Sequence, residues 1–267
     1  MLSAKPYLKA IELKPGEYDQ NSYPFSIPAV KTFEYMSFHP DITFFIGENG
    51  SGKSTFLEAI AEVFGFGAQG GTGNFSMKDA GGQSGFDACI RVKRSYQRPS
   101  DKYFLRAESF YNVATFMDDL AEESEREGWM SKEQVLSRYG GKSLHHRSHG
   151  ESFMSALQTG FGGKGLYILD EPEAALSPSR QLLAMQRINQ LIAKDSQFII
   201  ATHSPIFLAY PGALIYQLDE YGIKEVTYEE TEHYKVTSNF LANYKSKLAS
   251  LFSTQPLLDW LESQNKE

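Results

Sequence analysis

The sequence predicts an α/β fold: a mainly parallel core sheet flanked by helices, with an antiparallel β portion near the N-terminus and a small helical insertion. Three observations lead there. "FIGENGSGKST", residues 45–55, fits G-x-x-x-x-G-K-[ST] at Gly47, Gly52, Lys53 and Ser54, with the preceding strand and following helix that a phosphate loop requires. "GLYILD" and "QFIIATH" are short apolar runs of the kind that form parallel strands covered on both faces. Between them "PSRQLLAMQRINQLIAKD" carries Leu182, Met185, Ile188 and Ile192 on one helical stripe, so strand, helix and strand alternate.

From the N-terminus, "LKAIEL" and "KTFEYMSF" read as strands separated by the proline-broken "YPFSIP". "DITFF" is the strand entering the phosphate loop, and "KSTFLEAIAEVFGF" the helix leaving it, with Phe56, Ile60, Val63 and Phe64 at helical spacing. "GFGAQGGTGNF" and "DAGGQSGF" are too glycine-rich for regular structure. "DACIRVKRS" and "KYFLRAES" follow as strands, then helices at "NVATFMDDLAEESEREG" and "SKEQVLSRYG". After "QFIIATH", "ALIYQLDEYGIKEVTYEE" reads as a hairpin and "SNFLANYKSKLASLF" as a closing helix. With no repeat, heptad array or linker, residues 1–267 are expected to form a single domain with a helical subregion at about 110–160.

The chemistry begins at the loop. Its glycines, Gly47, Gly50 and Gly52, let backbone N–H groups at Asn49, Ser51 and their neighbours curl around phosphates, and the helix N-terminus adds the N–H groups around Ser54 and Thr55. Lys53 supplies a point charge and Ser54 a hydroxyl for Mg²⁺. In "GLYILDEPEAALSP" an apolar strand delivers Asp170 and Glu171 to the C-terminal edge of the sheet, where α/β folds bind ligands. Asp170 is placed to hold the Mg²⁺ shell, whereas the pleat turns Glu171 toward a water that could attack a γ-phosphate. A strand-terminal acidic pair is otherwise a helix cap. "QFIIATHSP" ends a further strand in Thr202 and His203, whose imidazole could donate to the γ-phosphate and position that water.

Composition excludes several classes. Apolar content of 41% and charged content of 22% are those of an ordinary globular chain. The N-terminus lacks a signal-peptide core and no run reaches the roughly 18 apolar residues of a membrane span, so a cytoplasmic protein without membrane insertion is expected. The single cysteine, Cys89, reads as a small core residue. A net charge of −7 gives no support to nucleic-acid binding in general. Local basic groups remain at Arg91 and Lys93 of one strand face and at Lys142, His145, His146 and Arg147, read as solvated faces or as a phosphate track.

Taken in order, "GENGSGKST", "LYILDEPEAALSP" and "ATHSP" resemble the ABC-type ATPase superfamily of P-loop proteins, in the soluble branch that contains DNA-repair and chromosome-maintenance ATPases and small stand-alone AAA family ATPases. The resemblance covers about residues 20–216 and implies ATP and Mg²⁺ as cofactors. It implies that "SHGESFMSAL" is the family's signature segment, with Ser148 and Gly150 at a helix N-terminus that binds the γ-phosphate held by a second subunit. A head-to-tail homodimer follows, with "EAALSP" as the segment crossing the interface. The family's glutamine after "KYFLRAES" is replaced here by Glu108 and Ser109, and the expected adenine-stacking aromatic is Tyr23 or Phe25. The leading reading is an ATPase whose ATP-dependent dimerisation serves an unidentified protein partner, in DNA repair or genome defence. The alternatives are a transporter's nucleotide-binding subunit, a P-loop kinase, or an ATP-binding switch with little turnover.

Overall fold

The computed structural model describes residues 5–66, 71–72, 85–106, 110–136 and 149–252. Its strands are β1 (Leu8–Leu13), β2 (Tyr35–Ser37), β3 (Ile42–Ile46), β4 (Gly71–Thr72), β5 (Ile90–Arg94), β6 (Asp101–Arg106), β7 (Gly165–Asp170), β8 (Gln197–Ala201), β9 (Leu214–Asp219) and β10 (Gly222–Val226). Its helices are α1 (Pro28–Lys31), α2 (Lys53–Val63), α3 (Phe86–Cys89), α4 (Phe110–Arg126), α5 (Lys132–Val135), α6 (His149–Ser155), α7 (Pro178–Ile192), α8 (Pro205–Leu208) and α9 (Glu232–Leu251).

The strands build two sheets. β2-β1-β5 is antiparallel, and β10-β9-β3-β8-β7-β6-β4 is parallel through its five central strands with an antiparallel strand at each edge. The expected parallel core and N-terminal antiparallel portion are both present. β3, β7 and β8 are buried along their whole length, which is why their sequences show apolar runs without alternation. β5 alternates instead, and its outward Arg91 and Lys93 both pair with Glu12 of β1, at 3.1 and 2.6 Å. Two cations of this face thus share one carboxylate within their own sheet, which offsets half of their charge. The 142–147 basic cluster lies outside the described residues.

Three local expectations are corrected. The glycine-rich connection is not wholly irregular, because Gly71 and Thr72 pair with Phe104 and Tyr103 at the edge of the large sheet. The strand readings "KTFEYMSF" and "DACIRVKRS" each begin too early, since residues 28–31 and 86–89 are single helical turns. On α7 the buried stripe is Gln181, Ala184, Ile188 and Leu191, while Leu182 is 59% exposed. A hydrophobicity count passes over Gln181, whose amide is satisfied inside the protein by the Leu176 carbonyl and the Ser204 hydroxyl.

The core that carries the phosphate loop lies where α2 meets both sheets. Phe56 of α2 is fully buried, with its ring centroid 5.1 Å from Phe33 and 5.2 Å from Phe86 in edge-on contacts, and stacked at 6.2 Å on Phe45 of β3. Each such side chain contributes about 1.5–3 kcal/mol by leaving water, so α2 is anchored by its apolar face and not by a side-chain cap, of which Gly52 provides none. Buried Gln197 ties the sheets together: it accepts from the Leu8 N–H and donates to the carbonyls of Leu8 and His39. Cys89 is half-buried, donates to the Gly85 carbonyl, and has its thiol pushed up by burial, as suits a packed thiol.

Met1–Val226 form one compact unit and Thr227–Glu267 a second. In the second, Thr231 caps α9 through the Tyr234 N–H, and the helix kinks at Asn243, where φ is −130°. No helix of the described residues is long and apolar enough to cross a membrane.

On the outer side of α2, burial pushes the Glu62 carboxyl up to about 7, with the charge and hydrogen bond of Asp87 and then the charge of Glu58 adding to the shift. A carboxyl raised in the folded state holds its proton after the unfolded chain has lost its own, so stability falls as pH rises from about 4.5 to about 7. Glu62→Gln should remove that loss: its melting temperature should match the parent near pH 4.5 and exceed it at pH 8. Parallel melting curves across the range would refute the raised carboxyl.

Candidate functional site

β3 runs into the loop of residues 47–52 and α2 runs out of it. Gly47 has φ 146°, and a Cβ built there would sit 2.2 Å from the Leu218 carbonyl oxygen and 2.7 Å from Ser51 Oγ. Gly50, at φ 83°, faces open space, and Asn49 is exposed beside it. One glycine is thus demanded by crowding and conformation together, the other by conformation alone. Gly52 is the left-handed residue that opens α2.

Lys53 is buried, and its Nζ donates to the carbonyls of Gly47, at 2.7 Å, and Glu48, at 3.1 Å. Burial pushes its ammonium below the usual lysine range, while the carboxylates of Glu171, Asp170 and Glu173 pull it back up. Those three acids are therefore within electrostatic reach of the loop lysine. Asp170 is buried and raised to about 6 by desolvation; Arg106 and the Ser54 hydroxyl oppose the shift, and Glu171 and Glu58 add to it. Its Oδ2 lies 3.4 Å from Arg106 Nε, and Arg106 Nη1 lies 2.6 Å from Glu58 Oε1.

Glu171 follows in a left-handed conformation, φ 50°, with its N–H bonded to the Ala201 carbonyl at 3.0 Å. Its Oε1 is 3.6 Å from His203 Nε2, and both side chains are partly open to solvent. The sequence reading did not single out Glu173, although it is the third acid in four residues. From the 3-10 turn Pro172–Ala175 its Oε2 accepts from the Thr202 hydroxyl at 2.8 Å and its Oε1 from the His203 N–H at 2.5 Å. Arg106 and Glu58 were missed as well; they sit in a strand and a helix whose periodicity accounts for them without a site.

The remaining candidates divide. Thr55 is buried at the start of α2, with Oγ1 3.4 Å from the Tyr23 hydroxyl, and the Tyr23 ring is 58% exposed. Phe25 is buried and stacked on Tyr18 at 4.4 Å, so it is a core residue and Tyr23 is the aromatic left open beside the loop helix. Gly150 of α6 is buried against the segment after Glu173: a Cβ there would lie 2.5 Å from the Ala175 carbonyl and 2.7 Å from Arg180 Nη1. Ser148, Glu108 and Ser109 lie outside the described residues.

Whether these residues fit Mg²⁺ and a phosphate chain is tested by two buried polar atoms. Among the described residues Asp170 Oδ1 and Ser51 Oγ have no hydrogen-bond partner, a state that costs about 1–3 kcal/mol apiece unless a ligand meets them. One is a carboxylate oxygen beside Ser54, suited to a cation; the other is a hydroxyl within the loop, suited to an anion. The donor set fits both groups.

An "AAA domain" model matches residues 25–144, and a model described as "AAA domain, putative AbiEii toxin, Type IV TA system" matches residues 152–209. Both agree with the resemblance drawn from the motifs. No curated protein matches the chain. Among solved structures, the SMC head bound to the C-winged helix domain of ScpA is 16% identical, covering 83% of this chain and 98% of that one, at a TM-score of 0.47. The SMC head domain from Thermotoga maritima is 17% identical, with coverages of 82% and 98% and a TM-score of 0.43. An ATP-binding cassette of an ABC transporter in its ADP conformation is 18% identical, with coverages of 83% and 92% and a TM-score of 0.41.

The two loop glycines should respond differently to substitution. Gly47→Ala must move the Leu218 carbonyl as well as strain the backbone, and should destabilise the protein by about 2–4 kcal/mol. Gly50→Ala should cost only about 1–2 kcal/mol, the conformational part. Urea unfolding measures both, and equal losses would contradict the crowding at Gly47.

Proposed function

On the premise of an AAA-type P-loop ATPase domain, matched over residues 25–144 and 152–209, we propose that this chain binds Mg·ATP at the 47–55 loop and hydrolyses it. The observation that carries the reading is the alignment of Phe45, Ala201 and Asp170 at one sheet edge, where a buried lysine held by its own loop feels the charges of Asp170 and Glu171 and His203 lies 3.6 Å from Glu171.

In this reading the backbone N–H groups of Gly47 to Thr55 receive the phosphates, and Lys53 exchanges its two carbonyl partners for phosphate oxygens. Ser54 and Asp170 would hold Mg²⁺, whose charge offsets that of the phosphates. Glu171, the more exposed of the two strand-end acids, accepts the proton of the attacking water, and His203 orients that water and donates toward the γ-phosphate. The exposed ring of Tyr23 stacks on the adenine.

We extend the proposal to assembly. Ser148 and Gly150 of one subunit would close over the ATP of another, and ATP that binds the closed pair more tightly than the free subunit draws the pair together. The close packing of Gly150 on the Ala175 carbonyl supports this, because it joins the signature helix to the segment assigned to the interface. The work done on a separate protein partner belongs, in this reading, to genome defence or DNA repair; the toxin–antitoxin wording of the second matched model favours defence.

Lys53→Ala should abolish tight binding of ATP, and unchanged turnover in that variant would refute the loop assignment. Glu171→Gln should keep Mg·ATP binding while slowing hydrolysis about 10²–10⁴-fold, and a single-turnover loss below about threefold would give the water to another base. With Mg·ATP the Glu171→Gln protein should also become a dimer by light scattering, and adding Ser148→Arg should return it to monomer without loss of ATP binding. A Glu171→Gln protein that remains monomeric at tens of micromolar would remove the dimer from the mechanism.

A further inference from the structure

We propose that Glu173 is the positioning residue that sets His203 against Glu171. The inference rests on the ATPase reading above and adds a residue to it. Glu171 and Glu173 share one short rigid turn: Pro172 fixes its first residue, and the Ala174 and Leu176 N–H groups bond back to the carbonyls of Glu171 and Glu173 at 3.1 and 2.9 Å. Glu173 reaches from that turn to the end of β8, accepting from the Thr202 hydroxyl with one oxygen and from the His203 N–H with the other.

His203 lies between the end of β8 at Ala201 and the start of α8 at Pro205, beyond the paired residues of β8, and its N–H is bonded to Glu173. A single carboxylate thus holds two consecutive residues just beyond the ladder. Because both ends of the clamp start from the Glu171 turn, the 3.6 Å spacing of Glu171 and His203 is set by Glu173 and by the bond from the Glu171 N–H to the Ala201 carbonyl. The clamp also extends away from the site. Thr202 Oγ1 accepts from the Ser204 N–H, the Ser204 hydroxyl bonds to Gln181, and Gln181 donates to the Leu176 carbonyl. The Ser204 N–H takes one lone pair of Thr202 Oγ1 and leaves the other open, while the hydroxyl proton goes to Glu173.

Reach and charge make opposite demands, which gives the test. Glu173→Gln keeps the reach: its carbonyl oxygen can accept from the His203 N–H while its amide donates to Thr202 Oγ1. Glu173→Asp keeps the charge but is one methylene short. The full chain would be examined in two ways. In the nucleotide-free protein, the His203 imidazole cross-peak, assigned by its loss in His203→Ala, should stay in place in Glu173→Gln and shift or broaden in Glu173→Asp. With Mg·ATP, Glu173→Asp should lower kcat about 10- to 100-fold with KM changed less than about threefold, and should add little to the loss in His203→Ala. Melting curves confirm that each variant is folded. An unmoved imidazole in Glu173→Asp, a Gln variant as impaired as the Asp variant, or additive losses in the double variant would each overturn the assignment. A parent protein that binds but does not hydrolyse ATP would refute the ATPase reading alone, since the imidazole signal tests the clamp without turnover.

Discussion

The parallel register of three central strands is the constraint on which the site depends. Ala201 of β8 is aligned with Phe45 of β3 on one side and with Asp170 of β7 on the other. The chain therefore leaves all three strands at one level, and the phosphate loop, the Asp170–Glu171 pair and His203 emerge side by side although they are far apart in sequence. Parallel pairing is what makes this possible, because it puts every strand's C-terminal end on the same edge. The bonds from Thr202 N–H to the Phe45 carbonyl and from Glu171 N–H to the Ala201 carbonyl continue the ladder past the strands and hold that level.

Opposite charges meet within short reach at this edge. Lys53 loses solvation on burial, and three carboxylates return part of the lost stabilisation. Asp170 is also desolvated, and Arg106, shared with Glu58, offsets part of the cost. Both buried charges are left with incomplete compensation, and among the described residues one oxygen of Asp170 has no partner. Such a state is costly for a structural ion pair and fits the proposal that the site takes up a cation and a polyanion together.

Hydrogen bonding then links the catalytic candidates to the segment beyond them. Leu176, Gln181, Ser204, Thr202 and Glu173 form one connected path, with Gln181 and Ser204 buried. A connected hydrogen-bond network restricts alternative arrangements, and this one joins the carbonyl of Leu176 to the backbone of His203. Gly150, packed on the adjacent Ala175 carbonyl, brings α6 into the same assembly.

The sequence by itself determined whatever is encoded by neighbours along the chain. The spacing of Gly47, Gly52, Lys53 and Ser54 gave the loop, the unbroken apolar runs gave parallel buried strands, and the carboxylates at the end of "GLYILD" gave a strand-end acidic pair. These are local because backbone conformation and burial leave their mark on consecutive residues. What only the tertiary structure decided was which groups meet. Tyr23 and Phe25 are alike in sequence, and only packing on Tyr18 makes one of them core. Gln181 replaces Leu182 on the buried face of α7 because a partner 23 residues away satisfies its amide. Glu173 finds Thr202 and His203, and Arg106 finds both Glu58 and Asp170, across gaps that no periodicity records. A polar side chain's role is set by the partner that meets it, and the fold alone chooses that partner.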